Sequence, residues 1–236
     1  MLQSAQQLQG FTLAASDGEI GRVDDVYFDD QHWTLRYLVV KTGGWLSGRK
    51  VLISPISLKG LDWPNGRIDV ALTRKQVEES PDIDTDKPVS RQREDELFRY
   101  YGYPPYWGGP YIWGLGAYPA PPVTVFPREV EVARELRARA EQASADSHLR
   151  SGNEVSGYDL EARDGAIGHV ADLLFDDQSW SIRHIVVDTR NWLPGKHVLI
   201  APESIDEVSW GEQSVRVDAT REAVKSKPEY DPSEKR

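Results

Sequence analysis

The chain has 236 residues, with 38 acidic against 28 basic side chains for a formal charge of −10, and it contains no cysteine. Disulfides, thiol catalysis and cysteine-ligated metal centres are thereby excluded, and the negative balance without a basic patch argues against binding to a phosphate backbone. The first ten residues show neither a basic nor an apolar leader pattern, and no run of about 20 apolar residues occurs, so a cytoplasmic protein with at most peripheral membrane association is expected.

Residues 10–84 align with residues 157–231 at a constant offset of 147, without a gap and with 33 of 75 pairs identical. The repeat divides the chain into a first unit over 1–84, a connecting region over 85–156 and a second unit over 157–236. Each unit is small, so there is little room for a deep enclosed active site.

Within each copy, alternating apolar residues and frequent β-branched side chains predict strands. In the first they run over Phe11–Ala15, Ile20–Phe28, Trp33–Thr42, Lys50–Ile53 and Arg67–Leu72. In the second they run over Tyr158–Ala162, Ile167–Phe175, Trp180–Thr189, His197–Ile200 and Ser214–Ala219. Asp17-Gly18 and Asp164-Gly165 supply tight hairpin turns, and Gly21 and Gly168, set inside a strand pattern, mark a bulge or sharp bend. Thr73 and Thr220 each cap one short helical turn that Pro81 or Pro228 ends. Six of the eight tryptophans are repeat-matched, and in so small a unit such large rings belong to the core.

The connecting region changes character. A charged stretch from Arg91 to Arg99 leads into Tyr100–Tyr118, and a second charged stretch runs from Arg128 to Ala145. The last reads as a helix, with Pro127 at its first position, a narrow stripe of Val130, Ala133, Leu136 and Ala140, and a Glu135–Arg139 pair at i, i+4. Tyr100, Tyr101, Tyr103, Tyr106, Trp107, Tyr111, Trp113 and Tyr118 lie among prolines and glycines that prevent regular structure. These eight rings pack on the barrels and fix their orientation, or form a protein-docking surface, since Tyr and Trp are enriched at interface hot spots, with a membrane-surface role as the lesser alternative.

The run from Asp17 to Asp29 (DGEIGRVDDVYFD), followed by Arg36-Tyr37-Leu38-Val39-Val40, resembles the PRC-barrel family, named for a domain of the photosynthetic reaction-centre H subunit and found also in a ribosome-maturation factor. The second copy matches through Asp164–Asp176 and Arg183–Val187. The resemblance implies a mainly β protein: two small PRC-type barrels in tandem, joined by a Pro/aromatic-rich linker with one or two short helices. It also implies docking or assembly rather than catalysis, and brings no catalytic residue or cofactor.

Candidate chemistry is sparse. The Asp29-Asp30 and Asp176-Asp177 pairs sit in short polar connections where aspartate stabilises turns through its own backbone. His169, His184 and His197 occupy positions where the first copy has Arg22, Tyr37 and Lys50, so no site common to both barrels is built on them. They read as solvent-facing residues, with a metal as the alternative. No nucleophile elbow, phosphate loop or dinucleotide fingerprint occurs. The expectation is a non-enzymatic adaptor with a protein partner, and homo-oligomers as one form of assembly. The alternatives are support of photosynthetic electron or proton transfer, or an enzyme or ligand carrier using residues such as His184 or Asp188 at the barrel junction.

Overall fold

The computed structural model describes residues 1–81, 91–107, 109–114, 116–120, 149–189 and 196–231. The helix expected over 127–145, and Trp192 and His148, lie outside the described residues.

The chain forms two compact units, each assembled from separated pieces: Leu8–Arg150 with Gln178–Trp180, and Met1–Gln7 with Ser151–Asp177 and Ser181–Arg236. The first contains β2 (Thr12–Ala15), β3 (Gly18–Asp29), β4 (Thr34–Thr42), β5 (Lys50–Ile53), β6 (Leu58–Asp62) and β7 (Arg67–Val70), then α1 (Arg74–Glu78) and α2 (Arg91–Tyr101). Its sheet runs β5-β4-β3-β2-β7-β6, and β8 (Leu149–Ser151) adds a seventh strand beside β3. β2 pairs in parallel with β7, while the β2–β3, β3–β4, β4–β5 and β6–β7 pairings are antiparallel.

The other unit repeats the plan with β9 (Asp159–Ala162), β10 (Gly165–Asp176), β11 (Ile182–Asp188), β12 (His197–Ile200), β13 (Ile205–Ser209) and β14 (Ser214–Val217), flanked by α3 (Gly152–Val155) and α4 (Arg221–Lys225). Its seventh strand is β1 (Leu2–Ser4), which pairs with β10. Residues 1–7 thus depart from the expected 1–84 stretch and complete the sheet of the second barrel. The reason is hydrogen bonding: an exposed edge of β10 is satisfied by the nearest extended segment, whatever its place in sequence.

The expected strands are all present, with ends shifted by at most two residues, and His197–Ile200 and Lys50–Ile53 keep their bounds. Each core is aliphatic, with Leu13, Ile20, Leu38 and Ile68 in the first barrel and Leu160, Ile167, Ile185 and Val217 in the second all fully buried. Gly21 faces Lys41 so closely that a Cβ would lie 2.1 Å from its carbonyl oxygen, and at Gly168 the corresponding gap to Asp188 O is 2.0 Å. Both glycines adjoin register shifts, as their spacing predicts.

The two closing helices are capped alike. Thr73 Oγ1 accepts from Gln76 N, and Thr220 Oγ1 from Ala223 N. The turn aspartates reach over as well: Asp17 accepts from Arg74 N at 2.8 Å and Asp164 from Arg221 N at 2.7 Å. One residue of the first hairpin therefore fixes the last helix of the same copy, which closes the barrel end.

Candidate interaction surface: an aromatic cladding over a buried arginine

Arg36 is the organising residue of the first barrel's covered face. Tyr27 pairs with Tyr37 and Phe28 with Leu35, so Arg36 is the extra residue of a β-bulge, a device that re-aims a side chain. Its guanidinium is 1 % exposed. One nitrogen, Nη2, donates to Asp29 Oδ2 at 3.1 Å, while Nη1 donates to the carbonyl of Ile112.

The ring of Tyr106 lies 3.7 Å from the guanidinium carbon, and that of Trp113 at 4.9 Å. Cation–π attraction strengthens when water is excluded, as it is here. The cation is therefore held by one carboxylate, one carbonyl and two aromatic faces.

Asp29 is itself fully buried. Burial opposes its ionisation, but hydrogen bonds from His32 and the charge of Arg36 outweigh that and hold the carboxyl well below the usual carboxylate range. Its other oxygen accepts from Gln31 N at 2.9 Å and His32 N at 3.2 Å, the local turn expected of an aspartate at this position. The neighbouring carboxylate, Asp30, pairs instead with Arg150 on β8 at 2.9 Å.

Helix α2 brings a second buried carboxyl group. Glu94, 2 % exposed, accepts hydrogen bonds from the phenols of Tyr37, at 3.1 Å, and Tyr106. One turn on, Phe98 packs edge-on against Tyr37, Tyr103, Tyr106 and Trp107, with centroids 5.3–6.3 Å apart. Glu94 and Phe98 are four residues apart, so one helix face delivers both the acceptor and the ring.

The eight linker rings separate into two groups. Tyr103, Tyr106, Trp107 and Trp113 are buried, Trp113 also donating from Nε1 to Ser179 O at 2.8 Å. Tyr101 is half-buried and stacks on Tyr103, and burial pushes its phenol up. Tyr111 and Tyr118 are each 58 % exposed and Tyr100 is 38 % exposed, its hydroxyl donating to Gln76 O. Between the groups, Tyr111 N bonds Gly114 O, and a Cβ on Gly109 would fall 2.2 Å from that same oxygen, so the exposed Tyr111 sits on a tight turn anchored by Trp113.

Among the described residues, the second barrel keeps the bulge but shows no such cladding. Arg183, at the position matching Arg36, is exposed, and His184, matching Tyr37, is half-buried with no hydrogen-bond partner for Nδ1 among the described residues. Burial, together with Lys227, lowers the affinity of His184 for a proton. His169 and His197 flank Asp188 on neighbouring strands, at 3.8 and 3.9 Å from its Oδ2, where the first barrel has Arg22, Lys41 and Lys50. His184 pairs four residues further along β11, about 13 Å away, so the three histidines do not converge. Among the described residues, no group of three or more His, Cys, Asp or Glu side chains is placed to hold a metal.

Arg36, Glu94 and Phe98 carry the cladding and were not among the expected site residues. An arginine inside the apolar run of β4 was their one visible signal. No helix among the described residues is long and apolar enough to cross a membrane. No curated protein matches the chain. The family model described as the PRC-barrel domain matches residues 4–76, from the end of β1 into α1.

Proposed function

With residues 4–76 a PRC-barrel domain, we propose that this protein is a non-enzymatic adaptor that binds a protein partner through the exposed part of its aromatic linker, with the tandem barrels as its frame. The observation that carries the reading is the division of the linker rings. Tyr111 and Tyr118 stand open to solvent on a segment whose neighbouring Tyr106 and Trp113 are fixed over Arg36.

Large exposed rings on a rigid support lose little entropy on binding, which is the arrangement that makes aromatic hot spots effective. A segment present only to cover the barrel would turn these rings inward like their neighbours. The family supports a module of assembly rather than of catalysis, and the repeat offers two related frames whose combined display raises avidity.

The test compares proteins retained from cell extracts by the native chain and by a Tyr111→Ser/Tyr118→Ser variant, which leaves every buried ring in place. A defined partner bound by the first and lost by the second supports the adaptor reading. Retention of the same set by both would remove the exposed rings from the contact.

A further inference from the structure

The N-terminal strand fills a slot that it reaches by hydrogen bonding and not by adjacency in sequence. β1 precedes the first barrel, yet Leu2, Gln3 and Ser4 pair with Asp176, Phe175 and Leu174 of β10. β8 precedes the second barrel and pairs with β3 of the first. At the repeat offset of 147, Leu2-Gln3-Ser4 falls on Leu149-Arg150-Ser151, so each repeat's leading strand completes the other repeat's sheet.

The slot on β10 holds its occupant mainly by polar contacts, among them the Met1 ammonium and Gln3 Nε2 on Asp177 and Asp177 N on Met1 O. Ser4 Oγ donates to Asp172, whose other oxygen accepts from Gln6 N at 3.2 Å. Ala5 N bonds Leu173 O at 2.9 Å, and Gln6 Nε2 bonds Ala171 O at 2.6 Å. Apolar anchoring is slight: Leu2 is 42 % exposed, and Ala5 is the one buried side chain between residues 1 and 7. With so little apolar burial, local opening of this short strand needs less free energy than global unfolding.

We propose that the β10 edge is a binding site for a short extended segment with a serine placed to meet Asp172, and that its occupant in trans is the N-terminal strand of a second copy of this chain. Two copies that exchange β1 reciprocally form a closed dimer. The contacts in trans are those made in cis, so exchange costs association entropy and no lost interaction, the usual physics of a swapped element. This dimer does not depend on the linker tyrosines. The tandem chain is in effect the same exchange made permanent between two halves.

The chain has no cysteine, so introduced thiols report pairing without background. Full-length Leu2→Cys and Asp176→Cys chains are mixed at high concentration in a glutathione buffer, beside a control pair of Leu2→Cys and Glu212→Cys, position 212 being exposed. The expected result is a mixed disulfide dimer in about tenfold higher yield than the control, as an effective concentration set by docking predicts. Equal yields would overturn the exchange. A Leu2→Cys/Asp176→Cys double variant checks the register at low concentration: closure within one chain is expected, and failure to close would overturn the slot itself.

Discussion

Ser4 donates its hydroxyl hydrogen to Asp172, 168 positions away in sequence, and through that bond the start of the chain becomes part of the second barrel. Burial raises the affinity of Asp172 for a proton, and Ser4 and the backbone of Leu173 and Gln6 counter it. Replacing Ser4 by alanine leaves a half-buried carboxylate short of one donor. The expected cost is about 1 kcal/mol, confined to the second barrel. Urea unfolding followed by amide exchange in β10 and in β4 distinguishes the two barrels.

Arg36 and Asp29 make the opposite kind of pair, buried and mutually required. Arg36→Met removes the cation while leaving Asp29 with no exposure. Breaking one side of such a pair costs about 3 to 5 kcal/mol. The aromatic near-ultraviolet circular dichroism should fall with it, because Tyr106 and Trp113 lose the charge beneath them. An unchanged spectrum and denaturation midpoint would contradict the organising role of Arg36.

The same pair sets a pH dependence. Asp29 is held below its ordinary value of 3.8, so the folded state binds fewer protons than the unfolded state in that range. Its stabilising contribution is complete above the ordinary carboxylate range and is lost as pH falls through and below it. The difference in melting temperature between the native chain and Asp29→Asn should be large at about pH 7 and shrink by about pH 3.

His184 gives the second barrel a dependence of its own. Its affinity for a proton is lowered in the folded state, first by burial and then by Lys227. The neutral form is favoured on folding, so the contribution is present above the ordinary value of 6.5 and is lost as pH falls below it. His184→Gln should flatten the stability profile of the second barrel across that range while leaving β4 protection unchanged.

Gly21 meets the chain too closely for any side chain. With a Cβ placed 2.1 Å from Lys41 O, Gly21→Ala forces β3 and β4 apart and is expected to cost about 2 kcal/mol or more. A midpoint shift in denaturant measures it directly.

Much of the fold was legible because local chemistry and tertiary structure agree. Asp-Gly turns, capped threonines and alternating Val, Ile and Leu all point to strands at the positions where they occur. β6 and β13 escaped notice because Leu58–Asp62 and Ile205–Ser209 show no alternation of burial. β1 and β8 escaped for another reason: three residues carry almost no pattern, and their partners are remote in sequence. The eight rings were conspicuous by composition, but which of them turn inward is decided by Arg36, Glu94 and Phe98, whose own roles emerge only once the bulge in β4 and one face of α2 are brought together.

Amide hydrogen exchange on a chain lacking residues 2–7 tests most directly the claim that each barrel is completed by the other repeat's leading strand. Loss of protection across Asp172–Asp176 of β10, with β3 and β4 unchanged, is the predicted result. Loss of protection in the first barrel, with β10 unaffected, would contradict it.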